Sequence, residues 1–239
     1  MSAQAPYAGS LVQRAMDAVR EYIHAHALKV GDTLPGEKHF AVELEVSRAV
    51  MREAFGALAA LKLIDVGNGR KPRVGALDES VIAKSLDHAI STSQVTVPEV
   101  WDVRRTIELR TAALAAVSRT PAEAARIVEL AEALGSCGDD LEQVTAHDID
   151  FHKCIARASQ NALFEQIVCA FGPLMHVAVP SAWRTRTSKA KRNLMIKRHR
   201  AVARAIAAGD PVAAADAMAA HFDASVGAEL AAGKGARAA

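Results

Sequence analysis

Two pairs of side chains, each spaced four apart, carry the chemistry this sequence offers. In "VSRAVMREAFGALAAL" (residues 46–61), Arg48 and Arg52 stand at i and i+4. On a helix that spacing puts both guanidinium groups on one face. Arginines near the start of a helix can bond bidentately to guanine O6 and N7 in a major groove. On an ordinary amphipathic helix the same pair is only a solvated face. In "AHDIDFHKC", Asp148 and His152 repeat the spacing, and His199 and His221 follow on later segments. Three imidazoles and a carboxylate can hold a first-row metal in the core of a helix bundle. Spacing alone leaves this open, because the chain has nine histidines, and chance alignment among so many is easy.

These groups need elements to position them. Ser47 stands where an N-cap belongs, and Val50, Ala54, Leu58 and Leu61 form an apolar stripe at helical spacing. Upstream, residues 10–28 read as a helix with Leu11, Ala15, Val19 and Ile23 on one face. "KVGDTLPGE" interrupts it with two glycines and a proline. "EKHFAVELE" is a short helix running almost directly into the Ser47 helix, a helix-turn-helix pattern. "LIDVGNGRKPRVG" reads as a hairpin of Leu63–Val66 and Pro72–Val74, with Arg70, Lys71 and Arg73 at or beside its tip.

From residue 76 onward only helices are expected. Pro98 is placed at the first position of one, and Thr120 with Glu123 forms a capping box on the next. "LFEQIVCAFGPLMHVAV" reads as one helix ending at Pro180, bent near Gly172-Pro173. The predicted class is mainly α. A winged helix-turn-helix with a small β-hairpin (residues 1–75) precedes an all-α bundle of seven helices (76–232), and 233–239 form a tail without fixed structure.

Composition sets the limits. The chain has 239 residues, 51% hydrophobic and only 4% aromatic, with a formal net charge of +2. Such a balance suits helices packed through small side chains, and any nucleic-acid site must be a local patch. Three cysteines, Cys137, Cys154 and Cys169, contain no CxxC pair, and their odd number argues against a disulfide framework. A reducing cytoplasm is the simplest setting. No signal peptide pattern and no run of about 18 apolar residues is present, so no membrane partner is expected.

The order of motifs resembles the GntR family of bacterial transcription regulators. The matching pieces are Leu34-Pro35-x-Glu37, Val46-Ser47-Arg48, Arg52-Glu53-Ala54 and the glycine-containing wing. "VRRTIE", "DIDFH", His199 and His221 resemble the FadR subgroup, whose second domain is the helical FCD ligand-binding domain. The resemblance implies a regulator, acting as a homodimeric repressor on double-stranded operator DNA and released by an effector. It supports DNA contacts from Arg48, Arg52 and Lys38, beside which Ser47 and Arg70 suit phosphates or the minor groove. It also matches Asp148, His152, His199 and His221 to the family's metal-binding positions. The ligand set does not choose among zinc, nickel and manganese, and zinc is placed first. A small organic or sugar acid would complete the metal's sphere, with Arg104 and Arg105 as its effector-binding cations; an ion pair with Glu108 or a neighbouring helix is their plain alternative.

The chain departs from the family pattern at Lys38, at Ala49-Val50 after the Ser-Arg pair, and at Arg198 before His199. Two other functions compete. A bundle metalloenzyme is one, but no general base is evident beside the metal set, and an enzyme is not expected. A regulator that senses the metal itself is the other. The basic stretch 183–200 reads as a solvated helix face, or as an attractor for an acidic effector or for DNA.

Overall fold

The computed structural model describes residues 8–67 and 69–236, with side chains over 11–67 and 69–224. It divides into two compact units, Met1–Val81 and Ile82–Ala239, each with its own apolar core.

The first unit contains α1 (Ala8–Ala25), α2 (Glu37–Glu43), α3 (Arg48–Ala60), β1 (Ile64–Asp65) and β2 (Arg73–Val74). Val19, Phe40, Met51, Phe55 and Leu58 lie at the centre of its core. The buried face of α3 is Met51, Ala54, Phe55 and Leu58. The expected stripe is therefore corrected at both ends: Leu61 is 46% exposed, and Val50 is only half-buried. Alanine at 54 is too small to mark a face alone, and the bulky Met51 and Phe55 rotate the helix toward themselves.

The hairpin is antiparallel, with Ile64 opposite Val74 and Asp65 opposite Arg73. A third segment joins it: Gly31 donates to Val74 O at 2.9 Å, Val74 to Asp32 O at 2.9 Å, and Leu34 to Pro72 O at 2.8 Å. The base of the wing is thus held from both sides. Gly75 closes it, donating to Leu63 O at 2.9 Å. A Cβ there would lie 2.1 Å from the Lys62 carbonyl oxygen, so the close approach requires glycine.

Beyond the hairpin come α4 (Glu79–Ser91), α5 (Val97–Ser118), α6 (Pro121–Ala133), α7 (Leu141–Ala158), α8 (Ala162–Ala170), α9 (Gly172–Thr185), α10 (Lys189–Ala208) and α11 (Pro211–Ala236). The expected single bent helix is two, α8 and α9, meeting at 55°. That break turns the seven expected helices into eight. Helix α9 also runs through Pro180 to Thr185, so the proline costs a ladder hydrogen bond without ending the helix. Pro98 is the second rather than the first residue of α5, because Thr96 is the cap and forms a full capping box with Glu99. The Thr120–Glu123 box on α6 is as expected.

Helix α5 packs against α7, α10 and α11, and its Ala112, Ala115 and Ala116 are fully buried. Small side chains there let three helices crowd one, as the alanine-rich composition implies. Gly209 ends α10 in the left-handed region at φ +77°, where glycine pays no steric penalty. Helix α11 continues to Ala236, past the expected end at 232, and 237–239 lie outside the described residues. No single described helix is long and apolar enough to cross a membrane.

Candidate functional site

The first unit presents its cations on α3 and the wing. Ser47 caps α3, its Oγ accepting from Val50 N–H at 3.2 Å. The hydroxyl proton remains available to a phosphate, while the cap fixes where the helix starts. Arg48 and Arg52 follow within two turns, and both are exposed. Arg52 reaches Glu37 only at 4.0 Å, a weak surface contact that leaves the guanidinium mobile. Lys38, on α2, is exposed as well. Arg70 at the wing pairs with Asp65 at 2.9 Å, so it must exchange that partner to meet DNA. Arg73 differs from Arg70 and Lys71: its Nη1 donates to Gly31 O at 2.6 Å, which ties it to the base of the wing.

The second unit brings together the residues that the sequence scatters over seventy positions. Asp148 and His152 lie one turn apart on α7, His199 on α10 and His221 on α11, all four buried. A ring nitrogen from each of the three histidines lies within 4.8 Å of the other two. Ligands around one ion sit about 3–4 Å apart, given bonds of about 2.1 Å. His199 Nε2 is 3.1 Å from Asp148 Oδ1, which is that spacing.

The hydrogen bonds choose which nitrogens face inward. His199 Nδ1–H donates to the Met195 carbonyl at 3.0 Å, and His152 Nδ1–H donates to Glu108. Both rings therefore turn Nε2 toward the cluster. A neutral His199 would then point a lone pair at a carboxylate oxygen, an arrangement that needs a proton or a metal cation between them. His221 stays neutral, because burial and the neighbouring His199 and His152 rings push its pKa well below the usual histidine range. Burial works to raise the Asp148 carboxyl. The His199 hydrogen bond and the nearby His152, His199 and Arg104 charges outweigh it and hold the carboxylate ionised. A neutral His221 and an ionised Asp148 are in the forms that bind metals, and three imidazoles with a carboxylate fit a divalent transition metal.

Glu108 is the residue that sequence reading assigned only as an ion-pair partner. It is 1% exposed and accepts from His152 and from Arg104 Nε. A carboxylate that orients a histidine in this way raises the ring's basicity toward a metal. Burial works to raise the Glu108 carboxyl too, and the Arg104 and His152 charges overcome it. A helical i, i+4 pair with Arg104 was visible in sequence; its further reach to α7 was not.

Arg104 and Arg105 part company, as neighbours 100° apart on a helix must. Arg104 is 3% exposed, lies over the Trp101 and Phe222 rings, and lines the cavity beside the histidines. Arg105 pairs with Asp223 at 2.9 Å and does not line that cavity. This pair is with a residue of the neighbouring helix α11. The cavity holds about 30 Å³, room for roughly two waters. In the basic stretch, Arg192 pairs with Asp139 and lies over Trp183, and Arg200 pairs with Glu132. Acids from outside the stretch thus offset part of its charge.

Residues 99–224, just over half of the chain, match the FCD domain, and residues 11–74 match the bacterial regulatory proteins of the gntR family. The chain belongs to the GntR family, with an FCD domain. It is 33% identical over 141 residues to the HTH-type transcriptional regulator LutR of Bacillus subtilis, spanning 59% of this chain and 64% of LutR. It is 30% identical over 150 residues to the Glc operon transcriptional activator of Escherichia coli, spanning 61% of this chain and 59% of that protein. The chain thus spans under two thirds of these relatives' lengths. Streptococcus agalactiae GntR shares the fold, with a TM-score of 0.64 at 24% identity, over 89% of this chain and 97% of that one.

Within the family's two matched regions, the winged unit carries the exposed arginines and the FCD region carries the histidine cluster. The FCD match takes in α5 to α11, so Asp148, His152, His199, His221 and Glu108 all lie inside it.

Proposed function

We propose that this GntR-family protein is an effector-responsive transcription regulator, acting as a homodimer on paired operator half-sites. Arg48 and Arg52 read bases in the major groove. Lys38, Ser47 and Arg70 contact phosphates or the minor groove. The FCD region holds a divalent transition metal, zinc before nickel or manganese, through His152, His199, His221 and Asp148. A small carboxylate-bearing metabolite completes the site beside Arg104 and relieves repression. The relatives are transcription regulators rather than enzymes, and Glu108, the buried acid nearest the cluster, is committed to His152 and Arg104 rather than poised as a base.

The observation that carries this reading is the buried convergence of three imidazoles, two of them anchored through Nδ1, in a unit attached to a winged helix. When bound, the metal would supply a Lewis-acid anchor for an acid. The chain's own residues fix the donor atoms, exclude water and supply the Arg104 cation. For the DNA end, Arg48→Ala and Arg52→Ala should each weaken specific binding by about 1–3 kcal/mol. The core residues Met51, Phe55 and Leu58 are untouched, so the thermal midpoint should hold. Gel-shift titration on the protein's own promoter measures it, and unchanged specific binding in both variants would refute the recognition face.

A further inference from the structure

Two features of the cavity beside the histidines have no part in holding a metal. Trp101 and Trp183 both line it, at 7% and 3% exposure. Their indole Nε1–H groups are buried and have no acceptor among the described residues. An indole nitrogen donates and cannot accept, and a buried donor left unpaired is costly. Two such donors at one cavity point to a ligand that brings acceptor oxygens.

The rest of the wall sharpens the choice. Arg104 and Arg186 add donors, and Asp148 is the one lining residue with side-chain oxygens among the described residues. Its Oδ1 already faces His199, and on the metal reading the carboxylate is a ligand. Alanine, valine and methionine side chains of α7, α9 and α10 complete the wall. With the histidine lone pairs and the Asp148 carboxylate given to the metal, the rest of the wall is rich in donors and poor in acceptors. A sugar acid brings several hydroxyl groups, each a donor that would be buried without a partner. A dicarboxylate brings only acceptors. The cavity is small, about 30 Å³, so any acid must widen it, and the shortest diacids widen it least.

Resting on the reading of the cluster as a metal site that takes a carboxylate effector, we propose that Trp101 and Trp183 are ligand-binding residues. Their indole N–H groups select a short dicarboxylate over a polyhydroxylated acid. Arg104, packed on the Trp101 face with its Nε given to Glu108, adds guanidinium donors, and Trp183 is held by Arg192 over its ring.

The chain contains only these two tryptophans, so its intrinsic fluorescence reports on this cavity. Zinc-loaded full-length protein is titrated with malonate, succinate and gluconate, followed by tryptophan emission and by calorimetry. Malonate or succinate should change the emission saturably and bind at least tenfold more tightly than gluconate. Trp101→Phe and Trp183→Phe keep the apolar bulk. Each should weaken dicarboxylate binding about tenfold or more, the loss expected for one hydrogen bond to a charged acceptor, with zinc content unchanged. Equal binding of gluconate, or dicarboxylate binding within twofold of wild type in both variants, would overturn the proposal. If the variants lose zinc or unfold, the selectivity of the unaltered protein decides. If no acid binds the zinc-loaded protein at all, the effector reading fails and the proposal falls with it. Binding of gluconate alone would overturn the dicarboxylate choice while leaving the effector reading standing.

Discussion

His199 is tied at both ring nitrogens, to the Met195 carbonyl and to Asp148, and His152 is tied to Glu108. These contacts make the cluster directional, since each ring presents one chosen nitrogen. Glu108→Gln keeps the shape but removes the charge that serves both His152 and Arg104. We expect metal affinity to fall about 10–100-fold. The metal-free protein should lose about 3–5 kcal/mol, because Arg104 is left as an uncompensated buried charge. Competition with a chromophoric chelator and thermal unfolding measure the two effects, and wild-type values for both would remove Glu108 from the site.

Acid should act through the same residues. The folded-state pKa of His221 is depressed, so below about pH 6.5 the unfolded chain takes up a proton that the folded one refuses. Asp148 and Glu108 are also held low, and their contribution, full above about pH 4.5, is lost as pH falls further. The metal-free thermal midpoint should therefore fall in two stages on acidification. A midpoint flat from pH 7 to pH 4 would contradict the burial of these groups in solution.

At the scale of elements, local rules were legible where chemistry is local. The Ser47 cap, the Thr120–Glu123 box and the stop at Gly209 are settled by neighbours in sequence, and they stand where their patterns put them. Faces decided by packing were less legible. The α3 stripe was read one position off because Ala54 and Leu58 fit two registers, and only the core of the first unit picks Met51 and Phe55. The α8–α9 break and the passage of α9 through Pro180 depend on what those helices pack against. The wing was legible as a hairpin, but not the segment 31–34 that pairs along its other side. That pairing makes Gly75 a tight point. Gly75→Ala should cost about 1–3 kcal/mol through forced backbone movement and weaken operator binding by displacing the wing. Urea unfolding and gel-shift titration check this, and a neutral substitution would show that the Lys62 carbonyl can move away.

At the scale of the whole molecule, one chain joins a unit that presents exposed arginines to a unit that buries histidines. The family resemblance made both legible, while composition could say only that any cationic site is local. Which four of many acidic and histidine residues converge depends on α7, α10 and α11 folding together around α5, a long-range fact that spacing cannot carry. Glu108, Trp101 and Trp183 join the site for the same reason. On the proposed reading, an acid bound beside a metal at this cluster would change operator affinity only by binding one state of the protein better than another. The coupling would then pass through the histidine cluster and leave the arginine face competent.

His199→Ala tests that claim most directly, with metal content and operator affinity measured together, in the absence and presence of malonate, which serves as the probe acid. The account predicts reduced bound metal, an operator affinity close to wild type without acid, and loss of the acid-dependent change it expects of the wild type. Full metal occupancy with a wild-type response to the acid would contradict it.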